Sequence, residues 1–261
     1  MERMKRIVRG RRGAGFQVCG GIIFVCLAAL AAGPVRADTS IDPARQIMGR
    51  STYPAKAWAV STELDYNLNS IGDEGRDTAE HELLLNYGLT EVWSAGAGIE
   101  SREGARSSFV YDRLVFGTRY QVLKRPFQLA PFAEYLPSLR QGAGEWKLGL
   151  EMLKNYGRIF FQFVGYGESY KDPGTARELK GLFHIGPYYR FEGGSMVGGM
   201  WKYQTDGVSE FHLHYSFALG KSIFLGFEPK IGLSRRAPDL RVDFLLGIYF
   251  GPYSLLDWTL E

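Results

Sequence analysis

The sequence predicts an all-β fold: a transmembrane, up-and-down antiparallel β-barrel of about twelve strands. Apolar and polar residues alternate with a period of two along segment after segment, which is the side-chain period of a β-strand. The connections between these segments alternate between short and long. Outside the N-terminus, no apolar run approaches the length of about 18 residues that a transmembrane helix needs.

The N-terminus has the pattern of a secretory signal peptide. A basic stretch precedes the apolar residues 22–33, and Val35-Arg36-Ala37 offers a cleavage site. We therefore expect a cleaved signal peptide (1–37), a periplasmic N-terminal segment (38–55), a β-barrel (56–251) and a C-terminal tail (252–261).

Removal of the signal peptide changes the charge of the chain. Seven of the 31 Lys and Arg residues and both cysteines lie in residues 1–37, so the mature chain has 24 basic and 27 acidic residues. A net charge of −3 does not indicate a nucleic-acid partner, and a chain without cysteine holds no disulfide. We expect no cofactor.

Twelve segments carry the two-residue period. The last three are the clearest: Phe211, Leu213 and Tyr215 alternate with polar residues, and the same alternation recurs in the next two segments, the second of which ends at Phe250. Residues 108–123 are ambiguous in phase, which predicts a bulge. Pro131 weakens the fifth strand because proline cannot donate to a ladder. The predicted strands are 56–66, 80–87, 91–100, 108–123, 127–136, 145–153, 158–168, 178–190, 196–203, 210–219, 222–233 and 240–250.

The connections support a barrel in an outer membrane. Those after the even-numbered strands, including one at Arg125-Pro126, are predicted to be tight turns, and the others are longer and polar. Bacterial outer-membrane barrels have tight turns in the periplasm and longer loops outside. Both termini are then periplasmic, which requires an even number of strands.

The polar faces of the predicted strands carry charges of both signs, which suits a water-filled lumen with ion pairs. The alternative is a soluble β-sandwich or lipocalin-like barrel, which would turn its apolar face inward. The predicted lumen-lining residues are Glu63, Asp65, Glu80, Glu82, Glu145, Lys147, Glu151, Glu178, Lys180, His184, Glu210, His212, His214, Glu228, Lys230, Arg241 and Asp243.

Two histidines on the tenth strand leave three interpretations open. His212 and His214 share a face with Glu210 and Ser216, which could form a metal site, a Ser–His–acid hydrolase or a polar lumen wall. No Gly-x-Ser-x-Gly or His-Glu-x-x-His motif occurs, so the polar wall is favoured.

Aromatic residues near the strand ends predict girdles at the two membrane interfaces, where a ring can lie half in lipid and half in water. The predicted girdle residues are Tyr87, Trp93, Tyr135, Trp146, Tyr188, Tyr189, Trp201 and Tyr249.

One hairpin resembles a known group of proteins. Glu82, followed by Tyr87-Gly88-Leu89-Thr90 and then Gly96-Ala97-Gly98, is similar to a hairpin of small outer-membrane proteins grouped with the phenol meta-pathway proteins or described as putative transporters. The last strand, ending at Phe250, is similar to the assembly signal of outer-membrane proteins, although residues 251–261 follow it. These resemblances imply an outer-membrane location and recognition by the barrel-assembly machinery.

The function that we expect is a monomeric, narrow, weakly selective channel for small solutes, surrounded by outer-membrane lipid. The alternatives are a lipid-modifying barrel enzyme using His212, His214 and Ser216, or a structural or partner-binding barrel closed by its own salt bridges. The short loops leave little material for a plug. Leu246 is expected to face lipid, and Gly247→Ser or Asp243→Asn to affect stability little.

Overall fold

The computed structural model describes residues 43–48, 50–68, 77–103, 109–140, 144–170 and 178–255. Within these residues, twelve strands form one closed antiparallel barrel in which β1 pairs with both β2 and β12. One short helix, α1 (Pro43–Met48), precedes them. The strands are β1 (Trp58–Leu68), β2 (Thr78–Thr90), β3 (Trp93–Glu103), β4 (Phe109–Tyr120), β5 (Gln128–Leu136), β6 (Glu145–Tyr156), β7 (Ile159–Tyr170), β8 (Glu178–Arg190), β9 (Ser195–Gln204), β10 (Ser209–Leu219), β11 (Ile223–Gly232) and β12 (Leu240–Phe250).

The predicted fold class is confirmed, and so is the direction of the two faces. On β10, Phe211, Leu213 and Tyr215 are exposed on the outside, whereas His212 and His214 between them are buried. In a closed barrel the buried alternate positions point to the lumen. The apolar face therefore points outward, which contradicts a soluble barrel with an apolar interior. Among the described residues, no helix has the length and apolarity required to cross a bilayer.

The predicted bulge lies in β4. Arg113 is opposite Glu100 on β3 and Tyr111 is opposite Ser101, which leaves Asp112 between them as the extra residue. Beyond the bulge, Arg113 and Val115 are buried on the inner face. The bulge thus explains why this strand has no single phase along its length.

The β4–β5 connection reverses at the predicted turn. Residues 121–127 link the two strands, and Leu123 forms an isolated antiparallel bridge with Leu129, so the chain turns back around Arg125-Pro126. The ladder between β4 and β5 has four residue pairs, from Phe116–Tyr135 to Arg119–Phe132, and ends beside Pro131. On its other side β5 pairs with β6 throughout. Pro131 therefore lies within a strand, at the point where the pairing with β4 is interrupted before the Leu123–Leu129 bridge.

Six of the eight predicted girdle residues lie on the outer face. Tyr87 packs against Trp58 with ring centroids 4.2 Å apart, and Tyr135 stacks on Trp146 at 4.3 Å. Trp93, Tyr189 and Trp201 are exposed. Tyr188 and Tyr249 were predicted wrongly, because both rings are buried in the interior. Tyr188 and Tyr189 are neighbours on a strand, so only one of them can face lipid.

Candidate functional site

The N-terminal segment enters the barrel at the end where β2–β3, β6–β7 and β10–β11 turn. We call α1 together with residues 50–57 the plug segment. Backbone bonds from Lys56 N to the Gly88 carbonyl (2.7 Å) and from Gly88 N to the Ala57 carbonyl (2.9 Å) hold its last residues against β2. A helix this short has no periodic signal in the sequence, so α1 and its position in the lumen were missed. The prediction considered only the loops between strands as plug material, whereas the plug segment precedes β1.

One side of the plug segment is apolar. Helix α1 packs against β10 and β11. Ile47 and Tyr53 belong to one buried cluster with Phe224 on β11 and Tyr249 on β12, and the Tyr53 and Tyr249 rings are stacked with centroids 6.3 Å apart. Burial of these side chains provides the apolar part of the force that holds the plug segment in the lumen.

The other side of the plug segment is polar. The Arg45 guanidinium donates to Glu151 on β6 (3.0 Å) and to the Ser51 carbonyl (2.8 Å), and Gln46 donates to Gln162 on β7 (2.7 Å). Glu151 also accepts from Arg119 on β4 and from Gln162. Glu151 thus connects the plug segment to three strands of the wall.

Residues 50–57 add further polar contacts at the mouth of the barrel. Arg50 pairs with Glu91 in the β2–β3 turn (2.7 Å), and Glu91 also accepts from the Ala55 amide (3.1 Å). The Ser51 amide donates to the Gln128 side chain (2.9 Å).

A buried histidine cluster fills the part of the lumen beside β8 to β11. Glu228 on β11 bonds to Nδ1 of both His212 (2.9 Å) and His214 (2.8 Å), and Nε2 of His212 lies 3.3 Å from Glu210. The His184 ring packs edge-on against His212, with centroids 5.9 Å apart. One carboxylate therefore holds both imidazoles against the wall.

Ion pairs extend this cluster around the wall to β1. Glu210 lies 3.4 Å from Lys202 on β9 and 3.8 Å from Arg241 on β12. Arg241 also pairs with Asp65 on β1, and Lys230 pairs with Asp243. These groups form a network of opposite charges along the inner wall from β9 to β1, and all of them except the half-buried Arg241 are buried.

The structure does not support a metal site or a lipid hydrolase at these histidines. Among the described residues, no group of three or more His, Cys, Asp or Glu side chains is arranged to hold a metal ion. His212, His214 and Ser216 are at most 3% exposed inside the barrel, away from the lipid-facing surface.

The opposite half of the wall carries a row of three carboxylates. Glu63 on β1 is opposite Glu82 on β2, and Glu82 is opposite Glu100 on β3. Glu100 lies 3.9 Å from Arg113, which pairs more closely with Glu145 at 2.7 Å. Glu82 is 1% exposed, and neither of its carboxylate oxygens has a hydrogen-bond partner.

A cavity of about 60 Å³ lies beside this row, along the inner faces of β1 to β5. Small residues such as Ser61, Ser94, Gly96 and Gly117 leave the space open, and Arg45 and Tyr53 of the plug segment border it.

The structure places the predicted lumen-lining residues at three depths. Glu178 is exposed at the start of β8, and four residues are half-buried: Glu63, Glu80, Lys180 and Arg241. The remaining twelve are buried in the interior: Asp65, Glu82, Glu145, Lys147, Glu151, His184, Glu210, His212, His214, Glu228, Lys230 and Asp243.

Sequence reasoning missed several interior residues, above all Arg45, Gln46, Arg113, Arg119 and Gln162. Arg113 and Arg119 are an even number of positions apart, which would have placed them on one face of β4 had the position of the bulge been known. No local pattern connects Arg45 to Glu151, because that contact depends on the closed barrel.

No protein-family model matches the sequence, and no curated protein matches it. Solved structures do match. An outer membrane channel from Pseudomonas putida F1 aligns with 76% of this chain and 97% of its own, with a TM-score of 0.57 and 13% identity. The NanC porin aligns over 74% of this chain and 99% of its own (TM-score 0.53, 10% identity). The KdgM porin, solved with disordered oligogalacturonate, aligns over 75% and 98% (TM-score 0.52, 10% identity). This chain thus has the fold of outer-membrane β-barrels.

Proposed function

We propose that the protein is an outer-membrane channel for small solutes whose pore is closed at its periplasmic end by the plug segment. The position of the plug segment carries the proposal: it fills the mouth of the barrel without being a strand of the wall. The charged interior and the fold shared with channels and porins support the same function.

The contacts of the plug segment suit a closure that can open. Its polar contacts to Glu151, Gln162 and Glu91 can be exchanged for water, because a hydrogen bond contributes only about 0.5–1.5 kcal/mol net, or about 1.5–3 kcal/mol with a charged group. The twelve ladders of the barrel do not include α1, so its release would leave the wall intact.

Single-channel recording on the full mature protein tests the proposal. Arg45→Met removes one tie of the plug segment, whereas Glu151 keeps Arg119 and Gln162 as partners. We expect the wild type to be mostly closed and the ratio of open to closed time to rise about tenfold in Arg45→Met.

Arg158→Met, in the exposed β6–β7 turn, is the matched control and should behave as the wild type. If folded wild type and Arg45→Met both fail to conduct, the channel function is wrong.

The buried histidine cluster favours a second candidate function, a structural or partner-binding barrel. His184 and His212 are 0% exposed and Glu210 2% exposed, so side chains as well as the plug segment close the lumen. In that case the recordings would show no current in either variant, while both proteins stay folded.

A further inference from the structure

The outer face of β6 ends in a lysine and a tyrosine. Its outward row is apolar from Trp146 to Met152 and then reads Lys154 and Tyr156, next to the β6–β7 turn. Lys154 is opposite Phe161 on β7, which is exposed on the outside of the barrel. A charged side chain is costly in hydrocarbon, so the Lys154 ammonium belongs at the depth of water and lipid headgroups.

An open groove lies on the outside of the barrel at this point, lined by Lys154, Tyr156, Ile159 and Phe161. The Tyr156 and Phe161 rings meet edge to face with centroids 6.1 Å apart, and Nζ of Lys154 lies 5.4 Å from the centroid of the Tyr156 ring. Aromatic rings near strand ends mark the depth at which hydrocarbon gives way to headgroups. The groove therefore has an apolar floor and a cation at its edge, at the depth of the headgroups.

The β4–β5 connection brings two more cations to the same place. Nζ of Lys154 donates to the Pro126 carbonyl, which holds the ammonium beside the exposed Lys124-Arg125. Among the residues that the structure describes, none of these three cations forms an ion pair with an acidic side chain. In the adjacent β6–β7 turn, by contrast, Arg158 pairs with Glu192. The uncompensated positive charge thus lies beside the groove.

The charge and the apolar floor together indicate a phospholipid with a net negative charge. Phosphate oxygens accept charge-assisted hydrogen bonds from lysine and arginine. Lys154 has three donors and gives one to Pro126, which leaves two for a phosphate, and Arg125 has five. The three apolar side chains of the groove can take the upper part of an acyl chain. A zwitterionic headgroup fits less well, because its own cation would meet the cations of the protein.

We propose that this groove, with Lys154 and Arg125 at its edge, is a binding site for an anionic phospholipid in the leaflet at the short-turn end of the barrel. The site lies on the outer face, whereas the plug segment lies in the lumen. Lipid binding here therefore does not depend on whether the pore conducts.

Native mass spectrometry of the folded mature protein, released from detergent micelles, tests the site. The probes are phosphatidylglycerol and phosphatidylcholine with identical acyl chains. We expect one phosphatidylglycerol to bind at least about tenfold more tightly than phosphatidylcholine, and its affinity to fall about fivefold in Lys154→Gln and in Arg125→Gln, because each loses one cation beside the phosphate. Lys154→Arg keeps the charge and should bind as the wild type does.

Lys221→Gln is the matched control, since it removes an exposed lysine from the β10–β11 turn at the same end of the barrel, and it should leave the affinity unchanged. Equal affinity for the two lipids, or unchanged affinity in both Lys154→Gln and Arg125→Gln, would overturn the site. An equal loss in Lys221→Gln would also overturn it, because the effect would then be one of surface charge in general.

Glycerol 3-phosphate distinguishes a lipid site from a site for phosphate alone. Competition by glycerol 3-phosphate as strong as that by the whole lipid would overturn the proposal, because the groove would then contribute nothing. Heat-modifiable migration in gels verifies that each variant is folded. If Lys154→Gln does not fold, Arg125→Gln in the exposed link tests the same site.

Discussion

At the scale of single residues, the packing of the interior depends on glycines that leave space for a large neighbouring side chain. Gly247 on β12 lies opposite Phe224 on β11, and a Cβ atom at Gly247 would overlap the Phe224 ring. Phe224 is fully buried and belongs to the cluster that holds the plug segment. The structure thus contradicts the open lumen on which the expectation of a mild Gly247→Ser rested, because the interior at this level is packed by the Phe224 ring.

We predict that Gly247→Ala lowers the free energy of unfolding by about 1–3 kcal/mol, since overpacking forces the Phe224 ring to move. The loss should shrink in a Phe224→Leu background, so a double-mutant cycle measured by urea unfolding should show coupling. Gly167→Ala is the control, because its Cβ would meet nothing closer than 4.0 Å. Additive effects of the two substitutions would count against the overlap.

For Asp243 too, the sequence predicted which face the side chain lies on but not how it is buried and paired. Alternation correctly placed it on the inner face of β12, but it is 5% exposed and pairs with Lys230, whose ammonium also lies 3.6 Å from Glu228. Asp243→Asn would leave a buried ammonium with one charged partner fewer. Asp243 therefore does not serve as a neutral substitution site in the lumen.

At the scale of elements, the β4–β5 ladder is the shortest in the barrel wall that the structure describes, with four residue pairs, and Pro131, which has no amide to donate, lies next to its last pair. We predict that amides in residues 128–132 exchange with solvent at least about tenfold faster than those of β7, whose ladders on both sides are continuous. Hydrogen–deuterium exchange with mass spectrometry on the folded protein measures this difference. Equal protection of β5 and β7 would contradict a weak β4–β5 ladder.

The strands and the helix also show how much of the fold could be predicted from the sequence. The strands were predictable because the two faces of a membrane barrel meet different solvents, and a period of two records that difference at every position. β8 and β12 have the predicted bounds, and the bulge in β4 was found as a change of phase. The plug segment was not predictable, since α1 is shorter than two helical turns and its partners Glu151 and Gln162 lie far along the chain.

The same distinction applies to the candidate site. Glu63 and Glu82 were placed on inner faces by their alternation with apolar residues. That they are neighbours across strands, and that both lack a counter-charge, depends on the register of β1 with β2 and on where Lys147 and Lys230 find partners. A strand period fixes the register only to within steps of two residues, and turn geometry and strand pairing set the rest.

At the scale of the whole molecule, we predict heat-modifiable migration in gels and recovery in the outer-membrane fraction, because a closed hydrogen-bonded barrel resists detergent until it is boiled. Leu246→Arg, which places a guanidinium on the lipid face between Thr62 and Leu225, should lower the stability of the barrel by about 2–4 kcal/mol and the temperature of the gel shift with it. Recovery in the soluble periplasm, or an unchanged shift in Leu246→Arg, would contradict the membrane-spanning arrangement.

The pairing of β1 with β12 also imposes an order on folding. Trp58 is opposite Phe250, so the contact that closes the barrel joins the start of the first strand to the end of the last. Contacts between such distant residues form late, because bringing the two strands together costs conformational entropy that only the finished contacts repay. The apolar cluster around Ile47 and Tyr53 includes Tyr249 and Leu255. The plug segment therefore lacks some of its packing partners until the last strand has joined the barrel. Only a barrel whose last strand has joined its first can hold its plug, and closure of the pore would then mark the end of folding.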